Sequence, residues 1–171
     1  MSRVLETQRL LLRCFTPDDA PFILELLTDP GFRRFIGDRG VRTPDDARRY
    51  IDERFVASYT RNGFGLYAVV RKEDGAVVGM CGLVKRDGLE DVDVGFALLP
   101  AYRAKGYAIE SATAVLELGR SAFGLRRIVA IVNPENADSI RVLERLGMTF
   151  ERLMRLNDGA PEVALYGVEP G

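Results

Sequence analysis

Hydrophobic positions along the chain follow the two periods expected of strands and helices. Residues 4–15, VLETQRLLLRCF, have the alternation of a strand with apolar residues on both sides. The segments 64–71 and 76–85 flank the turn KEDG and predict a β-hairpin. A third strand, EDVDVGFALLP, ends at Pro100. The later run RRIVAIV is almost continuously apolar, which is typical of a strand buried on both faces.

Helix starts are predicted where the sequence TPDDA occurs, at 16–20 and again at 43–47. In each copy a threonine is the N-cap, a proline takes the first helical position, and an aspartate three residues after the cap meets free amides. Apolar residues at helical spacing follow both copies. A third helix is predicted over about 106–122. A fourth begins near Asn136 and stops at Gly147, which suits a left-handed C-cap.

Two final strands, about 148–156 and 161–168, complete the order β-α-α-β-β-β-α-β-α-β-β. The central strand–helix–strand crossover requires a parallel pair, whereas the hairpins make the other pairs antiparallel. We therefore expect one α/β (α+β) domain over residues 1–171, with a mixed central sheet of about seven strands covered by about four helices.

Composition narrows the possible partners and chemistry. The formal net charge of −1 gives no global attraction to nucleic acid or anionic membranes, and no run approaches the roughly 20 apolar residues of a membrane span. Charges interrupt the N-terminus, so no signal peptide is expected. Cys14 and Cys81 have no CxxC spacing and are expected to be reduced thiols of a cytoplasmic protein. Histidine is absent, which removes the commonest zinc ligand and the commonest general base; no metal site is expected.

The segment YRAKGYAIES, residues 102–111, lies where the third central strand turns into the third helix. The first amides of such a helix have no intrahelical partner and bind phosphate-like groups well. Gly106 and Ala108 would let a ligand approach the backbone, and Arg103 and Lys105 add positive charge. An ordinary helix start with two solvated cations is the alternative. Neither GxxxxGK[ST] nor GxGxxG is present.

The segment R-A-K-G-Y-A resembles the [Q/R]-x-x-G-x-[G/A] signature of the GNAT superfamily of acyl-CoA-dependent N-acetyltransferases. The resemblance extends over nearly the whole chain. ETQRLLLRCFTPDDA resembles the T-x-R-L-x-L-R opening of the RimJ/RimL branch, DVGFALLPAYRAKGYAIES resembles its E-I-G-Y-x-L-x-P core, and NPENADSIRVLERLGM resembles N-x-x-N-x-x-S-x-x-V-L-E-K-L-G-F. It implies a GNAT-like fold and acetyl transfer from acetyl-CoA to a primary amine.

The same resemblance implies where coenzyme A would bind. The amides of the turn 103–108 would hold the pyrophosphate. The strand ending near Leu99 would splay from RRIVAIV to admit the pantetheine arm, and an amide at 96–98 would meet the thioester carbonyl. The implied cofactor-binding residues are Phe96, Ala97, Leu98, Arg103, Ala104, Lys105, Gly106, Tyr107, Ala108 and Asn136.

Two catalytic residues follow from the resemblance. Asp93 stands where the family has a strand glutamate, and a carboxylate is needed because a protonated amine does not attack. Aspartate is one methylene shorter, and Glu90 and Asp91 are alternative bases, or all three are solvent-facing strand charges. Ser139 matches the serine that protonates the leaving thiolate. Plain helix capping is the alternative role of Asn136, and a helix position that bonds back to that cap is the alternative for Ser139.

The acceptor and the assembly are less defined. The segment between the two N-terminal helices would face the acceptor by analogy, or would be a solvated face; its cations are Arg33, Arg34, Arg39 and Arg42. The acceptor is expected to be a protein N-terminus or a small-molecule amine. A non-catalytic acyl-CoA-binding module and a pure interaction domain are the alternatives. An exposed edge strand near the C-terminus is compatible with a homodimer.

Overall fold

The computed structural model describes residues 3–168, and its centre is one mixed sheet of eight strands in the order β1-β2-β3-β4-β5-β6-β8-β7. The pair of β5 and β6 is parallel, and each other neighbouring pair is antiparallel. The strands are β1 (Arg3–Glu6), β2 (Leu10–Cys14), β3 (Leu66–Arg71), β4 (Val77–Val84), β5 (Asp93–Leu98), β6 (Ile128–Val132), β7 (Thr149–Met154) and β8 (Val163–Val168).

Helices cover both faces of this sheet, so the expected fold class is confirmed. The α-helices are α1 (Ala20–Thr28), α2 (Pro30–Phe35), α3 (Pro44–Tyr50), α4 (Ala57–Asn62), α5 (Tyr107–Phe123) and α6 (Ala137–Arg145). A π-helical stretch, Ile51–Val56, joins α3 to α4 so that the two run on as one long helical segment. The short α2 was not predicted from the sequence pattern.

The N-terminal stretch differs from the prediction. Residues 4–15 were expected to form one strand, and that interpretation is wrong: β1 and β2 are an antiparallel pair. The amide of Thr7 donates to the carbonyl of Leu10 at 2.8 Å, which closes the turn between them. Residues 7–9, Thr-Gln-Arg, form this turn without a glycine or proline, so the usual turn residues gave no sign of it.

Both TPDDA segments begin helical structure as predicted. Thr43 accepts from the amide of Asp46 at 3.1 Å, and the carboxylate of Asp46 accepts from the amide of Thr43 at 3.1 Å. In the first copy the amide of Thr16 donates to Asp19 at 2.9 Å. Asp19 also accepts two hydrogen bonds of 2.9 Å from Arg13, a nearly buried ion pair that ties β2 to the start of the helical layer.

The two faces of the sheet pack against different helices. Phe96 and Leu98 of β5 contact the core that includes α5, whereas Ala97 and Leu99 contact the core of the N-terminal helices. Because of this alternation, one set of β5 side chains faces each layer of helices. The strand at the centre of the fold is therefore shared by both layers of helices.

The other end of the sheet leaves β7 as an edge strand. Phe150 is 54% exposed and Leu153 is 49% exposed on it. Exposed apolar side chains on an edge strand are compatible with pairing to another chain. The homodimer expected from the sequence stays a prediction.

Two glycines that face each other across β4 and β5 give a stability prediction. A Cβ on Gly82 would lie 2.7 Å from the Cα of Leu66 and still closer to the carbonyl oxygen of Gly65, whereas a Cβ on Gly95 would have Leu66 Cδ2 at 3.4 Å as its nearest neighbour. We expect Gly82→Ala to lower the free energy of unfolding by about 3 kcal/mol, because backbone atoms must move. Urea denaturation measures this.

Gly95→Ala is the matched control, since it adds the same methyl group at the directly opposite position. It should change the free energy of unfolding by less than about 1 kcal/mol. Equal losses in the two variants would contradict the close approach of β3 and β4 at Gly82.

Candidate active site

The candidate site begins where β5 and β6 separate. The two strands pair at one register position, Asp93 opposite Val129, and the amide of Val129 donates to the carbonyl of Val92 at 3.0 Å. Beyond this point β5 stays paired with β4, and β6 stays paired with β8. A parallel sheet pair that stops after one position leaves a wedge-shaped gap, as the resemblance implied for the strand that ends near Leu99.

Main-chain groups of β5 face this gap. The amide of Leu99 donates to Val78 of β4 at 3.0 Å, and antiparallel pairing alternates along a strand. Ala97 therefore also turns its main chain to β4, while Phe96 and Leu98 turn theirs to the gap. The register thus favours the amides of Phe96 and Leu98, and not that of Ala97, as donors to a ligand between the strands.

A tight turn between β5 and α5 forms the second part of the site. Ala104 has φ +62°, which is uncommon for a residue with a Cβ, and Gly106 has φ +84° as the N-cap of α5. Gly106 brings no capping side chain. Within residues 3–168, the amides of 106–109 have no recorded acceptor, so they are free to bind an anion.

Cations around the turn differ in how firmly they are held. Lys105 is exposed, and its side-chain ammonium makes no hydrogen bond in the described part of the chain. Arg103 turns back, because its guanidinium donates to the carbonyl of Leu98 at 3.2 Å and to Asp29 at 3.0 Å. Asp29 in turn caps α2 by accepting from Phe32 at 2.9 Å. Arg103 therefore links the turn to the N-terminal helices, and part of its charge is neutralised there.

Asp93 lies at the vertex of the gap, on the face opposite α5 and α6. Its side chain is 1% exposed, and its Oδ2 lies 2.6 Å from Nε of Arg86. Oδ1 is buried and has no hydrogen-bond partner among residues 3–168. Burial raises the pKa of Asp93 above that of an ordinary aspartate, and the guanidinium of Arg86 opposes this shift. A carboxyl group held in this way can exchange a proton closer to neutral pH than an exposed one.

The other two candidate carboxylates lie outside this enclosed position. Asp91 accepts from Nε of Arg127 at 3.0 Å, and Arg127 also binds Glu151 of β7. Glu90 is exposed. Of the three acidic residues that the sequence left open, Asp93 is thus the buried one at the strand divergence.

Asn136 and Ser139 sit at the start of α6, which packs on the same face as α5. Asn136 is the N-cap, and its Oδ1 accepts from the amide of Ser139 at 3.3 Å. The capping role is therefore present. In the described residues the hydroxyl of Ser139 makes no recorded hydrogen bond, so it does not bond back to the cap and is available to another partner.

The N-terminal arginines do not form one cationic patch. Arg42 pairs with Asp38, and Arg34 lies over the ring of Phe35 with its guanidinium carbon 4.7 Å from the ring centroid. Arg39 is exposed, whereas Nε of Arg33 is buried and has no hydrogen-bond partner. The structure therefore gives these cations different environments.

Over residues 3–168, no helix has the length and apolar character to cross a membrane. Across that same range, no group of three or more histidine, cysteine, aspartate or glutamate side chains is arranged to hold a metal ion.

Sequence reasoning gave no role to two residues that contact the turn, Arg9 and Glu110. Arg9 donates to the carbonyl of Lys105 at 3.0 Å and to Glu110 at 2.7 Å. Both residues belong to quoted motifs, ETQRL and GYAIES, but they are about a hundred positions apart in the chain. Correlated changes between these two positions in related sequences are the signal that would have revealed the contact.

Comparison with known proteins agrees with this geometry. Residues 9–149 match the family model described as an acetyltransferase (GNAT) domain. The chain is 31% identical over 147 residues to the uncharacterized N-acetyltransferase YnaD of Bacillus subtilis, covering 86% of this chain and 83% of that protein. Among solved structures, an acetyltransferase from Agrobacterium tumefaciens superposes with a TM-score of 0.83 at 25% identity, covering 97% of this chain and 94% of that one.

A more distant structure has the same fold. RimL, the ribosomal L7/L12 α-N-protein acetyltransferase, was solved in complex with coenzyme A and superposes with a TM-score of 0.80, covering 98% of each chain. At 16% identity this likeness concerns the fold alone. The strand divergence, the uncapped helix start and the match over residues 9–149 lead to one conclusion: the chain belongs to the GNAT family of acetyltransferases.

Proposed function

We propose that this protein is a single-domain N-acetyltransferase that transfers the acetyl group of acetyl-CoA directly to a primary amine. The observation that carries the proposal is the gap between β5 and β6 beside the uncapped N-terminus of α5. A long ligand with an anionic group needs both features, since its extended arm pairs with a strand edge and its phosphates bind free amides.

The residues of the turn fit the pyrophosphate of coenzyme A. Free amides at 106–109 supply donors, and Gly106 leaves the helix start without a side chain in the way. The left-handed Ala104 bends the turn before them. Lys105 adds an exposed positive charge that is free to turn toward an anion.

The side of β5 that faces the gap fits the pantetheine and thioester parts of acetyl-CoA. Phe96 and Leu98 direct their main-chain groups away from β4, as the pairing of Leu99 with Val78 requires. The carbonyl of Leu98 already accepts from Arg103, so the two amides and the carbonyl of Phe96 are the groups left for acetyl-CoA. An amide that points at the thioester carbonyl would stabilise the negative charge that develops there. The thioester itself supplies an activated acetyl group.

Asp93 is the proposed general base. Its carboxylate is enclosed, so the proton of the attacking amine reaches it through water rather than by direct contact. As the nitrogen bonds to the acetyl carbon and the carbon–sulfur bond breaks, Asp93 takes up the proton that the amine loses. Ser139 then donates a hydrogen bond to the leaving sulfur, because its hydroxyl is free of other partners in the described residues. The side-chain nitrogen of Asn136 contacts the pantetheine arm, while its oxygen caps α6.

Direct transfer agrees with the state of the two cysteines. Burial raises the pKa of the Cys81 thiol to about 12, and burial also raises the pKa of Cys14. A neutral thiol is a poor nucleophile, so neither residue suits a covalent acyl-enzyme. The amine attacks the donor itself.

The acceptor is proposed at the level of chemical class. Asp93 lies on the face of the sheet opposite α5, and α1 to α4 pack on that face farther along β5. RimL, which shares the fold, modifies the α-amine of a protein. A protein N-terminus and a small-molecule amine are the two acceptors we propose to compare, with the homodimer tested in the same samples by sedimentation.

One prediction of the proposal concerns the binding of coenzyme A at the turn 103–108. Gly106→Ala should weaken coenzyme A binding about tenfold in isothermal titration calorimetry, because the new Cβ lies 3.1 Å from Nη2 of Arg9 and the φ of +84° strains any residue but glycine. Gly124→Ala is the control at the other end of α5: it has φ +62° and no atom within 4 Å of a new Cβ. Equal affinities in the two variants would place the phosphates elsewhere.

A second prediction tests the reaction. Mixing the protein with acetyl-CoA and a panel of peptides, polyamines and amino acids should release free thiol with at least one primary amine. Ser139→Ala should lower kcat about tenfold or more and leave the heat stabilisation by coenzyme A unchanged. Heat stabilisation without thiol release from any amine would favour a non-catalytic acyl-CoA-binding module, and the absence of both would refute the proposal.

A third prediction concerns the pH dependence of catalysis. A base works when deprotonated, so kcat/KM should fall as the pH drops through the raised pKa of Asp93. Arg86→Ala removes the cation that lowers this pKa, and the acidic limb should therefore move to higher pH. Asp93→Asn should lower kcat about 100-fold.

Arg126→Ala is the control for that experiment, since Arg126 is an exposed arginine before β6 and its loss removes the same formal charge. Its acidic limb should match that of the wild-type protein. An Arg86→Ala enzyme with an unshifted limb would exclude Asp93 as the titrating base while leaving acetyl transfer itself intact.

A further inference from the structure

Arg9 connects the turn before β2 with the first turn of α5. Its amide donates to Oε2 of Glu110 at 2.9 Å, and its Nε donates to Oε1 of the same residue at 2.7 Å. Its Nη1 donates to the carbonyl of Lys105 at 3.0 Å. Thr7 also donates to Oε2 of Glu110, at 2.6 Å. The guanidinium is therefore fixed by two hydrogen bonds, and the backbone amide of Arg9 makes a third bond to the same glutamate.

The remaining nitrogen, Nη2, points to the uncapped helix start. It lies 3.1 Å from the position that a Cβ on Gly106 would occupy. Within the described residues it has no recorded hydrogen-bond acceptor, although Nε and Nη1 both have one. The guanidinium carbon lies 4.6 Å from the centroid of the Tyr107 ring, which supports the plane from below. A hydrogen-bond donor is thus held beside Gly106, the residue at which the run of free amides begins.

Glu110 explains why this arginine is needed here. A carboxylate in the first turn suits the helix dipole but repels an anion bound at the same end. Burial alone would raise the pKa of Glu110, but hydrogen bonds from Thr7 and Arg9 lower it below the ordinary value, so the group is ionised. Arg9 neutralises that charge, and its free N–H then faces the anion.

The other cations at the turn are less well placed for this task. Arg103 is drawn to Asp29, and Lys105 is an exposed, flexible side chain. Arg9 is 45% exposed, so an anion at the turn can reach it from solvent. The direction of the Arg9 guanidinium is set by its hydrogen bonds to Glu110 and to the carbonyl of Lys105.

We propose that Arg9 is a donor-binding residue whose Nη2 contacts the diphosphate of the acyl donor, while its other nitrogens hold the turn and neutralise Glu110. This inference rests on the proposed function, because it requires coenzyme A at the turn 103–108. Its chemical content is a charge-assisted hydrogen bond from a preoriented guanidinium. The alternative is a residue that only braces the turn.

The experiment compares two acetyl donors, of which only acetyl-CoA carries the diphosphate, as part of its 3′-phospho-ADP group. In Arg9→Gln, the KM for acetyl-CoA should rise about tenfold with little change in kcat, whereas the KM for S-acetylpantetheine, which has no phosphate, should stay as in the wild-type protein. The difference in KM for acetyl-CoA should shrink as potassium chloride is raised, since salt screens an exposed ionic contact. Arg3→Gln is the control for charge, because Arg3 is an exposed arginine on the adjacent β1.

Each other outcome overturns the inference in a distinguishable way. Equal losses with both donors, or a loss with acetyl-CoA that persists unchanged at high salt, would show a brace and not a phosphate ligand. Arg9→Lys covers the case in which Arg9→Gln fails to fold; it keeps the charge and should raise the KM for acetyl-CoA less than Gln does. If the wild-type protein binds coenzyme A without releasing thiol, the same comparison by calorimetry with coenzyme A and pantetheine decides on Arg9, whereas no binding by the wild-type protein would refute the donor seat itself.

Discussion

The main chain of β5 beyond Asp93 is the constraint on which the rest of the site depends. A strand inside a sheet normally satisfies its amides and carbonyls on both sides, and leaving such groups unpaired is costly. Here β4 pairs with one side of β5, and β8 pairs with β6. The two halves of the sheet meet at one register position, Asp93 opposite Val129. The unpaired side of β5 is therefore a binding edge that the fold maintains through the pairing of its neighbours.

This divergence also sorts the chemistry onto two faces. Phe96 and Leu98 have their side chains on the α5 face, and the uncapped start of α5 and the free hydroxyl of Ser139 lie on that same face. Asp93 lies on the opposite face beside Val129, and the N-terminal helices pack on that same face farther along β5, at Ala97. A donor bound along the gap would then present its reacting carbon between the two faces. The sheet would separate donor from acceptor except at the point where the strands part.

Much of this arrangement was predictable because its signals are local. The two TPDDA caps, the left-handed stop at Gly147 and the helix that begins at Gly106 each depend on residues a few positions apart. The contacts that complete the site depend on distant residues. Arg9 and Glu110 are separated by 101 positions, and Arg103 and Asp29 by 74. No period or spacing encodes such pairs. The sequence therefore indicated an anion-binding turn at 103–108 without indicating which residues fix the cations around it.

The sequence contains no histidine, so carboxylates are the groups to consider for proton transfer near these pairs. In the proposed mechanism proton transfer falls to a carboxylate, and three carboxylates close to the gap or the turn are each paired with an arginine: Asp93 with Arg86, Glu110 with Arg9, and Asp29 with Arg103. The pairs differ in what is left over. Arg9 keeps a free donor, which suits anion binding, whereas in the Arg86 pair it is the carboxylate that keeps a free oxygen, Oδ1 of Asp93. A buried oxygen without a partner is costly in a purely structural ion pair. The unpaired oxygen therefore supports the proposal that Asp93 takes up a proton, although its side chain is one methylene shorter than the glutamate that the resemblance implies at this position.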